Sequence, residues 1–309
     1  MLLLLSNEKL ERLFFMRIGY FADGPWSHLA LEKILSNSMF SLAFICARFD
    51  NPDPILKNKA EEKNIPFVIH EDINSSEFIS LVDEYACDIF VSMSFNQIFR
   101  SEILSKTPIG IINCHAGKLP FYRGRNILNW ALINDENEFA VTVHYVDEGV
   151  DTGDIILQKS YPITDEDDYS TLLSRAHQYC AEVLYEALNK ISHGESERVC
   201  QKDIHPVGFY CTQRKVGDEK LDWNQVSRQV FNFVRAICLP GPQAITFNDK
   251  EEVKINKVEI IPDAPKYKGI PGAVLSIDSR GLIVKTADSF VRVTEWSSTK
   301  KIRVGDRLI

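Results

Sequence analysis

Five short apolar runs in the first part of the chain, Arg17–Phe21, Phe40–Ala47, Pro66–His70, Asp88–Met93 and Gly110–Cys114, leave few ways for it to fold. Between them lie the amphipathic stretches Ser27–Leu35, Pro54–Glu62 and Glu77–Tyr85. A strand with one wet face alternates apolar and polar residues. These runs are nearly unbroken, so both faces must be covered, and helices that cross over between parallel strands supply the cover. The spacing therefore predicts an α/β unit around a mostly parallel, Rossmann-like sheet. Two further strands are expected over Ala140–Val146 and Asp154–Pro162. A long helix then presents Leu172, Leu173, Ala176, Cys180, Val183, Leu184, Ala187, Leu188 and Ile191 on one face, with Ser170 as its expected N-cap and Gly194 as its stop.

The pattern changes after residue 200. Residues 201–212 read as a linker. A helix over Trp223–Cys238 follows, then a turn at Pro240-Gly241-Pro242 and short strands at Val253–Val258, Ala273–Ile277, Leu282–Lys285 and Phe290–Val293. Closely spaced short strands suit a small β-barrel or open sheet. The expected division is an N-terminal extension over 1–15, an α/β domain over 16–204 and a β-rich domain over 205–309. The extension begins with Leu2–Leu5, too short a run for a signal-peptide core, and Met16 stands immediately before the first strand.

Bulk properties narrow the function classes. The chain has 309 residues and seven cysteines, scattered and without a CxxC pair, so neither a disulfide framework nor a metal site is expected and a reducing, cytoplasmic compartment fits. No apolar run is long enough to span a membrane. The net charge of −8 is uneven: residues 205–309 hold 17 basic and 12 acidic residues, and the remainder holds 18 and 31. The acidic first part opposes nucleic-acid binding, which needs positive surface, whereas the positive second part suits an anionic partner.

The chemistry concentrates in the stretch from Ile111 to Asp154. Asn113 and His115 stand two apart at the end of a predicted strand and so share a face, at the strand end where open α/β sheets bind ligands. A carboxamide can donate to a developing oxyanion while an imidazole handles a proton. Asp151, brought back by the next strand and its loop, could fix the imidazole. Alone, a strand-end Asn-x-His pair is more often a turn-forming, hydrogen-bonded structural pair than a catalytic one. Glycines 117, 124, 149 and 153, with Pro120, punctuate both loops as close approach to a ligand requires. His144, within its strand, reads as a structural histidine or as one that supports the catalytic residues from behind.

The runs NCHAGKLPFYRGRNILNW and VTVHYVDEGVDTGDII resemble the folate-dependent formyltransferase family, which shares an Asn-x-His, a Leu-Pro-x-Tyr-Arg-Gly loop and an Asp-x-Gly loop at nearly fixed distance. Residues from Phe209 to Pro242 resemble the start of that family's C-terminal domain, whose remainder is an OB-like barrel. The resemblance implies N10-formyltetrahydrofolate as formyl donor and tetrahydrofolate as product. It makes Asn113, His115 and Asp151 the catalytic residues and places the pterin beneath the Asp151 loop, against backbone groups of Val146, Asp147, Glu148, Gly149 and Val150 and of the region from Met93 to Phe95, with Asp154 beside them. Tyr122, Arg123, Arg125 and Trp130 would bind the acceptor, with Arg235 an anion or interdomain contact. The loop wording resembles the branch that formylates a dTDP- or UDP-linked amino sugar for surface polysaccharide such as lipopolysaccharide O-antigen. Its tRNA-directed counterparts lack a histidine equivalent to His144. The alternative acceptor is initiator methionyl-tRNA. A homodimer is expected by family analogy.

Overall fold

The computed structural model describes residues 15–309, so nearly all of the extension expected over 1–15 lies outside the described residues. Residues of the chain gather into two compact units. One comprises residues up to Gly124 with Ala140–Tyr161 and Arg175–Tyr210; the other comprises Arg125–Phe139, Pro162–Ser174 and Cys211–Ile309.

The first unit is built on a seven-stranded sheet in the order β3-β2-β1-β4-β5-β7-β8. Its strands are β1 (Met16–Ala22), β2 (Phe40–Ala47), β3 (Phe67–Ile69), β4 (Ile89–Met93), β5 (Gly110–His115), β7 (Glu138–Tyr145) and β8 (Ile155–Pro162). The pairs from β3 through β5 are parallel, and β7 runs antiparallel to β5. Helices α1 (Pro25–Leu35), α2 (Pro54–Glu62), α3 (Ser76–Glu84) and the single turn α4 (Ser101–Leu104) make the crossovers. Their starts follow from local chemistry. The Asp53 carboxylate accepts from the N–H groups of Ile55 and Leu56 with Pro54 in the first turn, and the Ser75 hydroxyl accepts from Phe78 N–H. The apolar runs of β1, β2, β4 and β5 are largely buried as expected. Strand β3, expected to be buried too, forms the sheet edge and leaves Ile69 45% exposed. Phe21, Phe44, Phe78, Phe90 and Phe99 share one core cluster. Gly19 makes room for it, because a Cβ there would lie 2.6 Å from the Phe44 ring and 2.7 Å from that of Phe90.

After β5 the chain forms the two-residue strand β6 (Arg123–Gly124) and helix α5 (Ile127–Ile133). The long helix is α6 (Tyr169–Ser192), with Leu172, Ala176, Cys180, Leu184 and Leu188 buried along one face. Ser170 lies inside this helix rather than capping it. Asp168 takes that place: its carboxylate accepts from Thr171 N–H at 2.9 Å while its own N–H donates to the Thr171 hydroxyl.

Residues 201–212, expected as a linker, are bound in place. Val199 exchanges both backbone hydrogen bonds with Ile155, α7 (Gln201–Ile204) follows, and Phe209 O accepts from Arg123 N–H just before β9 (Tyr210–Cys211).

The second unit carries α8 (Ser227–Ile237) and a five-stranded sheet of β10 (Ala244–Asn248), β11 (Glu251–Ile260), β12 (Val274–Asp278), β13 (Gly281–Lys285) and β14 (Phe290–Ser298). The order is β10-β11-β14-β13-β12, antiparallel throughout. The last residues close the circuit. Phe247 and Ile309 exchange backbone hydrogen bonds, while Leu308 N–H donates to Gly272 O and Ala273 bridges Arg307. Arg235 is 6% exposed and donates to the carbonyls of Thr164 and Asp167, so its charge serves its own unit rather than an anion or a second domain.

Candidate active site

The site grows from the antiparallel pairing of β5 with β7. That register sets Asn113 opposite His144 and His115 opposite Thr142. Opposed residues on neighbouring strands project to the same side of a sheet. The Asn113 Nδ2 accordingly meets His144 Nε2 at 3.3 Å. The Nδ1 of His144 lies 2.7 Å from the carbonyl of Tyr145, which can only accept, so this nitrogen carries a hydrogen. In the neutral ring Nε2 is then the acceptor, and it takes an amide hydrogen from Asn113.

His115 is fixed by the same logic. Its Nε2 lies 2.7 Å from Tyr122 O and must donate, which leaves Nδ1 as the nitrogen that can gain or lose a proton. Gly117 is required for this contact, since a Cβ there would lie 2.4 Å from His115 Nε2 and 2.5 Å from Tyr122 O. Behind it, the Thr142 hydroxyl donates to Gly117 O at 2.6 Å and accepts from Gln158 Nε2, whose amide also reaches Leu119 O.

Asp151 reaches both rings. One carboxylate oxygen is 3.7 Å from His115 Nδ1, and the other is 3.4 Å from His144 Nε2. The oxygen facing His115 also accepts from Gly124 N–H at 2.8 Å. Burial alone would push its pKa up, but charge on His115, the hydrogen bond and charge that His144 supplies once its Nε2 is protonated, and the Gly124 N–H hold the carboxyl well below the usual range. The side chains of His115, His144 and Asp151 are 9%, 2% and 11% exposed, so the cluster acts where charges are weakly screened. An ionised carboxylate, two imidazoles and a carboxamide in this arrangement can take a proton from a nucleophile and hold charge on an oxygen.

The structure thus brings Asn113, His115 and Asp151 together, and His144 takes the second of the two roles expected for it, supporting Asn113 and Asp151 from its strand. A signal for it was present, because Asn113 and His144 fall opposite one another once β5 and β7 are paired antiparallel. The remaining expected residues separate. Met93 is buried, and Phe95 packs edge-on against Phe21 with ring centroids 5.4 Å apart, so both side chains serve the core. The Val146 N–H donates to Ile111 O and extends the sheet. Asp147 shapes its loop by accepting from Gly149 N–H and the Thr152 hydroxyl; Glu148, Gly149 and Val150 are exposed; Asp154 O accepts from Tyr145 N–H. Tyr122 contributes its carbonyl to His115, and the Arg123 guanidinium donates to Gln201 Oε1 from Nε and Nη2. Arg125 and Trp130 belong to the second unit, where Trp130 Nε1 donates to Thr212 O. Among the described residues no group of three or more His, Cys, Asp or Glu is placed to hold a metal ion, and no helix is long and apolar enough to cross a membrane.

Comparison with known proteins agrees with this geometry. Residues 17–188 match the family described as formyl transferase, and residues 214–306 match the formyl transferase C-terminal domain. The methionyl-tRNA formyltransferase of Ruminiclostridium cellulolyticum is 28% identical over 301 residues, covering 94% of this chain and 95% of its own. That of Citrifermentans bemidjiense is 33% identical over 257 residues, 82% and 79% respectively. Among solved structures, the sugar 3N-formyl transferase WlaRD, crystallised with dTDP and 5-N-formyl-THF, superposes with a TM-score of 0.69 at 20% identity over 93% of this chain and 99% of its own. An N-formyltransferase from Helicobacter canadensis, in complex with folinic acid and dTDP-3-aminofucose, gives 0.67 at 20% identity over 92% and 100%. At such identity the structural likeness is one of fold.

Proposed function

This chain belongs to the formyl transferase family, and on that premise we propose that it moves the formyl group of N10-formyltetrahydrofolate onto the amine of a dTDP- or UDP-linked amino sugar. The single observation that carries the transfer chemistry is the convergence of Asn113, His115, His144 and Asp151 in one largely buried cluster. A neutral amine attacks the formyl carbon, forming a C–N bond and a tetrahedral oxyanion. One Asn113 N–H is held by His144, and the other donates to that oxyanion. His115 Nδ1 takes the proton released by the amine. The Asp151 carboxylate stabilises the resulting imidazolium, and the same proton is delivered to N10 as the carbon–N10 bond breaks and tetrahydrofolate leaves. The exposed loop Asp147–Val150 offers backbone groups to the pterin.

The acceptor reading rests on the loop wording and on the acidic balance of residues 1–204, which opposes a phosphate-rich RNA. A role in surface-polysaccharide synthesis, a cytoplasmic location and a homodimer go with that reading. The names of the sequence relatives favour a second one, N-formylation of initiator methionyl-tRNA, as does the excess of basic residues over 205–309. The two separate in one experiment: the protein with formyl donor is offered dTDP- and UDP-amino sugars beside charged initiator tRNA, and tetrahydrofolate release and formylated product are followed. Turnover on an amino sugar is expected. Formylation of the tRNA alone would overturn the sugar reading.

A further inference from the structure

Gln201 lies 50 residues beyond Asp151 in sequence, yet its side chain is 2% exposed and every hydrogen-bonding position it has is occupied. Its Nε2 donates to Asp151 O at 2.9 Å and to Gly153 O at 2.8 Å. Its Oε1 accepts from Arg123 Nε at 3.1 Å and Arg123 Nη2 at 2.6 Å. A carboxamide has two donors and two acceptor positions, and here the donors hold one loop while the acceptor holds the other.

Both loops serve the site. Asp151 sits at φ 55°, a conformation that non-glycine residues resist and that surrounding contacts must maintain. Gly124, next to Arg123, gives its N–H to the Asp151 carboxylate, and Tyr122, on the other side of Arg123, gives its carbonyl to His115. The Arg123 end is held as firmly. Its N–H donates to Phe209 O, and a Cβ on Gly208 would lie 2.8 Å from its guanidinium carbon. Val199, paired with Ile155, sets the approach of the strap that carries Gln201.

We propose that Gln201 is a positioning residue: it joins the Asp151 loop to the Tyr122–Gly124 segment and thereby fixes the carboxylate against His115 and His144. It touches no reacting atom. Its identity is specified by the partners, because a glutamate would set an oxygen against two carbonyl oxygens, and an apolar side chain would leave those carbonyls and the guanidinium unsatisfied. The inference depends on the formyl-transfer reading only in its kinetic arm.

The test uses the full chain with Gln201→Glu, Gln201→Met and Arg123→Lys, the last releasing the clamp from its other end. The ¹³C resonance of the Asp151 carboxyl, assigned with Asp151→Asn, is titrated in each folded variant without any acceptor. The groups facing that carboxylate are His115 and His144. The expected result is an upward shift of its midpoint by about one pH unit, a tenfold change in proton affinity. In the kinetic arm, kcat for tetrahydrofolate release falls roughly 10- to 100-fold with KM for the donor nearly unchanged, as for loss of an interaction that matters in the transition state. Should one variant fail to fold, the others carry the test. Folded variants that keep the wild-type Asp151 titration overturn the proposal. An altered titration in a protein inactive on every acceptor would instead uphold the clamp and reject the formyl-transfer reading.

Discussion

The two oxygens of Asp151 divide their contacts, one toward His115 and Gly124 N–H and the other toward His144, so a single carboxylate faces two rings. Substituting asparagine keeps the shape and removes the charge. Asp151→Asn, Asn113→Ala and His115→Ala are each expected to lower kcat by about 10²- to 10³-fold, the range for loss of one preorganised group, with far-UV circular dichroism unchanged. Near-normal turnover in any of them would remove that residue from the mechanism. A pH dependence follows from the depressed pKa of Asp151. The folded value lies below the unfolded one of about 3.9, so the carboxylate contributes stability above that pH and loses it as pH falls toward the folded value. Urea midpoints of wild type and Asp151→Asn should therefore differ by a steady amount above pH ~5, with the gap starting to narrow only below pH ~4 and closing as pH approaches the folded value. A gap that does not narrow as pH is lowered below ~4 would show that ionisation of Asp151 does not stabilise the fold.

At the scale of elements, the antiparallel pairing of β5 and β7 is what makes the cluster, since a one-residue slip would turn His144 away from Asn113. Thr142 helps to hold the turn after β5, with its hydroxyl bonded to Gly117 O and Gln158 while fully buried. Thr142→Val keeps the volume and strands both partners. A loss of about 1–3 kcal/mol in urea unfolding is expected, together with a fall in kcat as the loop carrying the Tyr122 carbonyl loosens. Unchanged stability would mean that water or a new rotamer satisfies both groups. The strands of the first unit were legible because Phe40–Ala47 and Gly110–Cys114 are apolar on both faces, which only a covered sheet explains. The first two residues of the site were legible because Asn113 and His115 sit at a strand end. Strand β10 was missed because Ala244–Asn248 alternates weakly and directly follows a turn. Gln201 was missed for a deeper reason: its partners lie 50 and 78 residues away, and no local pattern announces a glutamine that will be buried.

At the scale of the whole molecule, the two units are each assembled from separated stretches of sequence, and the second depends on its last residues for closure. Leu308 is 1% exposed, and Arg307–Ile309 span from β10 to the segment before β12. Removing those three residues opens two strand edges and empties a leucine site, where Leu→Ala losses alone run about 2–5 kcal/mol. Hydrogen exchange of the amides in Ala244–Asn248 and at 272–274 should then accelerate by about 30-fold or more, equivalent to ~2 kcal/mol of local opening. Exchange in β1 and β4 should stay as it was. Equal acceleration in both regions would show that the units unfold as one.

The strap from Val199 to Tyr210 also gives the chain a timetable. All four side chains of the site have left the ribosome before residue 152 follows them, but the residues that pin their loops are made some fifty positions later. Until then the nascent chain holds Asn113, His115, His144 and Asp151 without the Gln201 contact that helps to keep Asp151 at its left-handed backbone angle. A fragment ending near Glu195 would therefore carry the whole Asn113, His115, His144 and Asp151 cluster and lack the clamp that aims it.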